Sequence, residues 1–431
     1  MVPPPDSSEK LAAENKRLKH AVEELSILNE IATAIDGSMK VEEINKLIIT
    51  KCIRRLGVEQ GVIRMIDQAD PDQAFKTLIR VVDESGDGLP FRLGLTLTGW
   101  ILKNQKALLS NDIHTDDRFK GATDEAPQIK SVLAVPLRAR NRIVGILSVF
   151  NKKNKEPFDG ADQRLLTIIA TQSAQVIENA RLQEDEAKFK QMEEDLRVAR
   201  SIQEGLIPKT TPESEQLDLY GFTEPAREVG GDYYDWVKLD SDRLGCVVAD
   251  VSGKGMPASL LMAQLQAAFR AQAQSGKSPK DVVTSVNEFL GATMEASRFV
   301  TLFYAIFDPG KNELTYCSAG HNPPLVWRSD GSLEWLGEGG LILSPVSRVP
   351  YEEHTVSFKS GDLVVIYTDG VTEAENATEV QWEEPGLEKS LTRGSRDSAT
   401  EVGNRIKSDL EKFVAGHEQS DDLTLTIIRY K

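Results

Sequence analysis

Two apolar runs in the second half of this 431-residue chain each end in an aspartate, and this feature constrains the fold most. Asp250 follows Cys-Val-Val-Ala, and Asp369 follows Leu-Val-Val-Ile-Tyr-Thr. Two further acidic turns, at Asp232 and Asp421, lie next to strand-like segments. A single turn aspartate is ordinary, because Asp is common where strands end. An uncompensated buried carboxylate is costly, so the shared context predicts that these carboxylates gather at one end of a sheet.

Carboxylates gathered in this way repel one another unless cations lie between them. Hard oxygen ligands without His or Cys favour Mg²⁺ or Mn²⁺ over zinc. The three cysteines, Cys52, Cys246 and Cys317, lie far apart in apolar stretches with no CxxC motif. They are predicted to be reduced core residues.

Alternating or wholly apolar segments predict many strands after residue 215. The predicted strands are 218–224, 244–251, 299–308, 313–320, 323–329, 354–360, 362–369 and 423–430. The predicted helices are 256–274, 281–295, with Ser278 as N-cap and Pro279 at N1, and 399–415, with Ser398 and Glu401 as a capping box. Two sheets with helices outside are the simplest packing of this series.

The first half has a helix, strand, helix pattern between about 26 and 182. A helix to about Leu56 precedes predicted strands at 61–67, 77–83, 132–140 and 143–151, with the last two forming a hairpin across Asn141 and Arg142. Asp159, with Asp162 at N3, is predicted to cap a helix that continues through 165–182.

A heptad pattern marks the N-terminal segment, where Leu11, Leu18 and Leu25 recur every seven residues and Asn15 and Asn29 occupy the other seam position. Asn at a seam favours a parallel coiled-coil dimer, although a helix packed on its own domain gives a similar pattern.

A second heptad pattern continues the closing helix of the first half. Leu182, Phe189, Leu196 and Gln203 recur every seven residues, and Pro208 ends the helix. A signalling helix is therefore predicted to join two domains.

The formal net charge of −16 makes nucleic acid an improbable partner, because such a surface repels phosphate backbones. No apolar run reaches about 18 residues, and the N-terminal residues lack a signal-peptide pattern. We therefore expect a cytoplasmic protein without a membrane partner.

The segments 91–112 and 131–153, together with the closing helix, resemble a GAF domain. The resemblance implies a small-molecule sensor with a central antiparallel sheet flanked by helices. The sequence does not identify a ligand, because such pockets have no defining spacing.

The second half resembles the metal-dependent PPM serine/threonine phosphatases, in the branch of the bacterial sporulation stage II protein E. The resembling motifs, in family order, are SIQEGLIP, GGDYYD, ADVSGKGMPASL, FVTLFYAIFD, SAGHNPPLV, VVIYTDGVTEA and DDLTLTIIR. The resemblance implies an α-β-β-α sandwich, and thus an α+β protein of two domains. The expected division is 1–25 coiled-coil-like helix, 26–182 GAF domain, 183–208 signalling helix and 209–431 phosphatase domain.

Two Mn²⁺ or Mg²⁺ ions are implied by this resemblance. Asp250 would bridge both ions, and the backbone carbonyl of Val251 would be a further ligand. Asp232 would hold one ion, while Asp369 and Asp421 would hold the other. A water between the ions would attack phosphorus, so no protein nucleophile is needed.

Four other residues carry less defined expectations. Asp422 is expected to support the ligands or to be structural. Arg227 either contacts phosphate or pairs with the neighbouring Glu228, and Lys254 lies in a Gly-Lys-Gly turn that resembles a phosphate cradle. His321 is expected to be a structural turn residue rather than a proton donor.

The predicted function is therefore a phosphoprotein phosphatase that its GAF domain controls. The resemblance implies a phosphorylated STAS-type anti-sigma-factor antagonist as substrate. A catalytically silent partner-binding module is the alternative. A diguanylate cyclase is disfavoured, because Tyr233 and Tyr234 follow Gly-Gly-Asp where a cyclase has Glu-Phe.

Overall fold

A computed structural model describes residues 14–15, 39–66, 75–82, 91–121, 127–240, 242–295, 297–343, 350–396 and 398–431. The chain divides into two compact units, Met1–Gln191 and Met192–Lys431. Each unit is described by itself.

The first unit contains a five-stranded antiparallel sheet in the order β2-β1-β5-β4-β3. Its strands are β1 Val58–Ile66, β2 Phe75–Val82, β3 Leu108–Ser110, β4 Val132–Ala139 and β5 Arg142–Lys152. The helices α1 Val41–Leu56 and α2 Phe91–Asn104 precede β1 and β3. Apolar side chains of α1, of the sheet and of the helix that follows β5 form one core. The unit therefore has the expected antiparallel sheet flanked by helices.

The β4–β5 hairpin turns one residue earlier than predicted. Ala139 pairs with Arg142, so the turn residues are Arg140 and Asn141 rather than Asn141 and Arg142. Arg140 has a φ of 53°, which the tight turn requires.

The closing helix, α3 Gly160–Glu204, is one continuous element of 45 residues. Asp159 caps it as predicted: its Oδ1 accepts from the N–H of Asp162 at 2.9 Å, while Asp162 Oδ2 accepts from the N–H of Asp159 at 2.9 Å. The predicted boundary at residue 182 thus lies inside a helix. Of the N-terminal heptads, Asn15 is helical, whereas Leu11, Leu18 and Leu25 lie outside the described residues.

The second unit contains two five-stranded antiparallel sheets. The first has the order β13-β10-β9-β8-β7, and the second has the order β12-β11-β14-β15-β6. The strands are β6 Leu217–Glu224, β7 Tyr233–Lys238, β8 Leu244–Val251, β9 Val300–Asp308, β10 Glu313–Ala319, β11 Leu325–Trp327, β12 Leu333–Trp335, β13 His354–Ser357, β14 Leu363–Tyr367 and β15 Leu423–Tyr430.

Helices cover the outer faces of both sheets. They are α4 Met256–Ala273, α5 Pro279–Gly291, α6 Asp369–Thr372, α7 Glu383–Thr392 and α8 Ala399–Val414. The helices α4 and α5 pack on the first sheet, α7 and α8 pack on the second, and a third core fills the space between the sheets. The unit is therefore the expected α-β-β-α sandwich.

One strand is missing from the predicted set, and one capping prediction is wrong. Strand β7 begins at Tyr233, directly after the predicted acidic turn at Asp232. Ser398 occupies the N-cap of α8, but its side chain makes no capping hydrogen bond. The N–H of Ala399 donates instead to Asp218 Oδ2 at 2.8 Å, so a carboxylate from β6 takes over the capping role. By contrast, Ser278 caps α5 as predicted.

All three cysteines are buried and free, as expected. Burial raises the pKa of the Cys52 thiol to about 12, so it is protonated at neutral pH. Within the described ranges, no helix is both long and apolar enough to cross a membrane.

Candidate metal centre

Antiparallel pairing brings the four predicted aspartates to one end of the sandwich. Tyr233 of β7 pairs with Ala249 of β8, so Asp232 and Asp250 are neighbours. In the second sheet, Tyr367 at the end of β14 pairs with Leu425 of β15. Because the end of one antiparallel strand meets the start of its partner, Asp369 and Asp421 lie at the same edge.

Burial and the charges of neighbouring carboxylates raise the pKa values of Asp232, Asp250 and Asp369. Burial raises the pKa of Asp250 to about 7, with further contributions from the charges of Asp369, Asp421 and Asp422. Burial also raises the pKa of Asp232 well above its usual range, and the charges of Asp250 and Asp422 add to this. The structure therefore brings all four predicted residues together, with Asp422 as a fifth carboxylate.

Asp422 holds the loop that carries Asp232. Its carboxylate accepts hydrogen bonds from the backbone N–H groups of Ala226 at 2.8 Å, Gly231 at 2.5 Å and Asp232 at 3.3 Å. A Cβ atom at Gly230 would lie 2.3 Å from Asp422 Oδ2, so only glycine fits there. This contact fixes the backbone on which Asp232 is displayed.

Thr368 orients the side chain of Asp232, a role that the sequence analysis missed. Its hydroxyl donates to Asp232 Oδ2 at 2.7 Å and accepts from the N–H of Thr424 at 3.1 Å. The sequence indicated only that Thr368 directly precedes Asp369. It did not indicate the hydrogen-bond partner Asp232, which lies 136 residues earlier in the chain.

The backbone carbonyl of Val251 lies against the same loop. A Cβ atom at Gly231 would be 2.8 Å from the Val251 oxygen. The glycine therefore allows the carbonyl to approach the residue that precedes Asp232.

Lys254 lies beside the carboxylates. Its ammonium is 3.0 Å from Asp421 Oδ2 and also donates to the carbonyl of Ser420. Lys254 thus offsets part of the negative charge on one side of the cluster.

Arg227 and Glu228 are both exposed on the loop that Asp422 holds.

His321 follows the end of β10 and is buried. Its Nδ1 lies 2.9 Å from the hydroxyl of Thr301, whose backbone pairs with Asp250 across β8 and β9. Burial lowers the pKa of His321 to about 3, so the ring is neutral near pH 7. This geometry agrees with a structural histidine.

Gln203, near the C-terminal end of α3, contacts the Asp232 loop. Its buried side-chain amide donates to the carbonyl of Gly230 and accepts from the N–H of the same residue. The heptad pattern assigned Gln203 only to a helix seam. The loop contact could not be read from that pattern.

The carboxylates fit Mg²⁺ or Mn²⁺ by their chemistry. All donors are hard oxygen atoms. Burial, and then the charges of Asp369, Asp421 and Asp422, raise the pKa of Asp250, and a divalent cation would offset that repulsion. As the side chains stand, no three His, Cys, Asp or Glu residues of the described segments already form a metal site.

Comparisons with known proteins agree with both halves of the sequence analysis. Residues 240–431 match the family "Stage II sporulation protein E (SpoIIE)", and residues 38–178 match the family "GAF domain". The phosphoserine phosphatase RsbU of Bacillus subtilis (strain 168) is 31% identical over 242 residues, which are 56% of this chain and 71% of RsbU.

Two further similarities are more distant. The phosphoserine phosphatase RsbP of the same organism is 24% identical over 243 residues, 55% of this chain and 58% of RsbP. The solved SiaA-PP2C domain of Pseudomonas aeruginosa superposes with a TM-score of 0.51 at 18% identity, covering 57% of this chain and 99% of that domain. This last likeness shows the fold. With its GAF domain and its sandwich, the chain belongs to the stage II sporulation protein E family of PPM-type, metal-dependent serine/threonine phosphatases.

Proposed function

We propose that the chain hydrolyses phosphoserine or phosphothreonine on a regulatory protein, with two Mn²⁺ or Mg²⁺ ions at the carboxylate cluster and with its activity controlled by the GAF domain. The observation that carries this proposal is the convergence of Asp232, Asp250, Asp369 and Asp421 at one end of the two sheets.

Each carboxylate has a proposed role. Asp250 would contact both ions, and the Val251 carbonyl would be a further ligand. Asp232 would hold one ion, and Asp369 and Asp421 would hold the other. The position of Asp250, at the end of β8 and within the fields of Asp369 and Asp421, supports its role as the bridge.

The bound ions would supply a water of lowered pKa and would neutralise charge on the phosphoryl oxygens. The surrounding residues fix the geometry for this chemistry. Asp422 and Thr368 hold the backbone and the carboxylate of Asp232. The ammonium of Lys254, next to Asp421, adds a positive charge at the edge where a phosphoryl group would enter.

The proposed substrate is a phosphorylated STAS-type anti-sigma-factor antagonist in a bacterial partner-switching pathway. Two relatives named as phosphoserine phosphatases, RsbU and RsbP, support a phosphoserine substrate. We also propose that the protein acts in the cytoplasm as a homodimer, and that 1–25, 26–182, 183–208 and 209–431 are its functional parts.

Hydrolysis of a phosphoserine peptide by the full chain tests this function. We expect phosphate release with Mn²⁺ or Mg²⁺, none in excess EDTA, and recovery when the metal is restored. Full turnover after dialysis against EDTA would contradict the metal-dependent mechanism. Binding of the phosphopeptide without turnover, at any metal concentration, would instead indicate the catalytically silent module.

A further inference from the structure

A surface groove of about 270 Å³ lies beside the carboxylate cluster. It is lined by parts of β6 and α8 and by residues 416–421, which precede β15. Its lining includes Asp421, a proposed metal ligand, and Gly370, which follows the proposed ligand Asp369. The groove therefore adjoins the proposed metal centre. A peptide that presents its phosphoserine to the metal centre can therefore place a neighbouring side chain in the groove.

The groove has a strong excess of negative charge. Its acidic lining residues are Glu224, Glu375, Glu411, Glu418 and Asp421, and its basic ones are Lys407 and His417. Lys407 is paired with Glu224 at 2.8 Å, and Asp421 is paired with Lys254 from outside the groove. In the described part of the chain, Glu375, Glu411 and Glu418 form no ion pair.

Apolar side chains form the rest of the lining. Phe222, Leu410, Val414 and Leu423 contribute aliphatic and aromatic surface. The ammonium of Lys407 lies 5.0 Å from the centre of the Phe222 ring, so this face already accommodates a cation. An apolar surface beside unpaired carboxylates suits a side chain with a long aliphatic stem and a charged end.

We propose that this groove binds a lysine or arginine side chain that neighbours the phosphorylated residue of the protein substrate. The inference rests on the proposed phosphatase function and adds a determinant of its specificity. Lysine and arginine combine an aliphatic stem for Leu410 and Val414 with a cation for Glu411 and Glu418. An acidic flanking residue would be repelled by the same carboxylates.

Binding can be measured without turnover, with peptides that carry a non-hydrolysable phosphonate analogue of phosphoserine. Three peptides differ only in the residues flanking the phosphonate, which are arginine, alanine or glutamate. Fluorescence anisotropy with the full-length chain and Mn²⁺ gives each dissociation constant. We expect the arginine peptide to bind roughly three- to tenfold more tightly than the alanine peptide, with a smaller ratio at high salt.

The variant Glu411→Lys/Glu418→Lys reverses the charge of the groove at two exposed positions. We expect it to lose the preference for arginine and to bind the glutamate peptide more tightly than the wild type does. Such a gain cannot come from misfolding. The control is Glu401→Lys, a charge reversal at an exposed position of α8, the helix that also contains Glu411. Glu401 does not line the groove, so this variant should keep the wild-type ratios of the three dissociation constants.

The outcomes separate this proposal from the phosphatase function. Equal affinities of the wild type for the three peptides, or an unchanged arginine preference in the double variant, would overturn the groove assignment even if phosphopeptides are hydrolysed. An arginine preference that the double variant loses would support the groove even if no hydrolysis were found, and the phosphatase proposal alone would then fail.

Discussion

Gln203 and Gly230 exchange two hydrogen bonds in the interior of the second unit. The Nε2 of Gln203 donates to the Gly230 carbonyl at 2.7 Å, and the N–H of Gly230 donates to Oε1 at 3.1 Å. Gly231 in turn donates to Asp422, and Asp232 follows. The end of α3 is thus joined to the backbone that displays a proposed metal ligand.

Removing this contact should impair the metal centre. Gln203→Ala leaves the N–H and carbonyl of Gly230 buried without partners, which costs about 1–3 kcal/mol locally. We expect a lower kcat and a higher Mn²⁺ concentration for half-maximal activity, measured with a phosphoserine peptide. Gln183→Ala, an exposed glutamine of the same helix, is the matched control and should behave like the wild type. Wild-type kinetics of a folded Gln203→Ala protein would show that the contact has no role in activity.

The proposed bridging and single-ion ligands should differ in their response to metal. Asn keeps the shape of Asp but lacks its charge, so it weakens a hard-cation site without leaving a cavity. We expect Asp250→Asn to be inactive at every Mn²⁺ concentration and Asp369→Asn to recover partly at high Mn²⁺.

The control for both is Asp240→Asn. Asp240 accepts from Arg243 in an exposed turn outside the cluster, so this variant should keep normal turnover. Circular dichroism establishes that all three variants fold. Near-normal turnover by Asp250→Asn would show that its proposed role is wrong.

We expect the phosphatase rate to depend on the rotational register of the joining helix α3, and not only on its length. One residue inserted after Lys188 rotates the following part of α3 by about 100°, whereas seven residues restore the original face to within about 20°. We expect the single insertion to change the phosphatase rate and the seven-residue insertion to preserve it. Equal rates for both insertions and the wild type would mean that α3 serves only as a tether.

The exposed apolar face of α3 predicts self-association. Phe189 and Met192 are each 63% exposed, and Leu182 is 50% exposed. We expect light scattering to give twice the chain mass for the wild type and a shift towards monomer for Phe189→Glu. Ala187→Glu lies off the heptad seam and should remain dimeric. A monomeric wild-type protein at micromolar concentration would remove the argument for a parallel dimer.

Buried His321 predicts a stability loss in acid. Burial lowers the pKa of His321 in the folded state to about 3, from an ordinary value of 6.5. Between these two pH values, His321 is protonated in the unfolded chain but neutral in the folded protein. The free energy of unfolding should therefore fall as the pH drops below 6.5, by up to about 1.4 kcal/mol per pH unit from this group.

His321→Gln removes the titrating group, so its stability should change less between pH 6.5 and 5 than that of the wild type. Urea unfolding of both proteins in EDTA, at several pH values, measures the difference in slope. Parallel stability profiles would mean that His321 is accessible to protons in the folded state.

Local sequence patterns predicted most of the elements. Strand β8 matches the predicted 244–251, and Asp159 caps α3 as expected, because alternation and capping involve residues close in the chain. The patterns failed where a distant residue replaced a local partner. Asp218 takes the capping role predicted for Ser398. Strand β7 was missed for a different reason, because the glycines that precede Asp232 are typical of a turn.

The sequence by itself determined the two kinds of domain, the carboxylates that could bind a metal and the helix that joins the domains. Only the tertiary structure decided how the site is held. Asp422 accepts from Gly231 across 191 residues of sequence, and Thr368 reaches Asp232 across 136. Side-chain periodicity reports which face of a segment is buried, but it carries no information about which distant backbone group a buried polar atom will meet. The pairing of β7 with β8 and of β14 with β15 supplies that information.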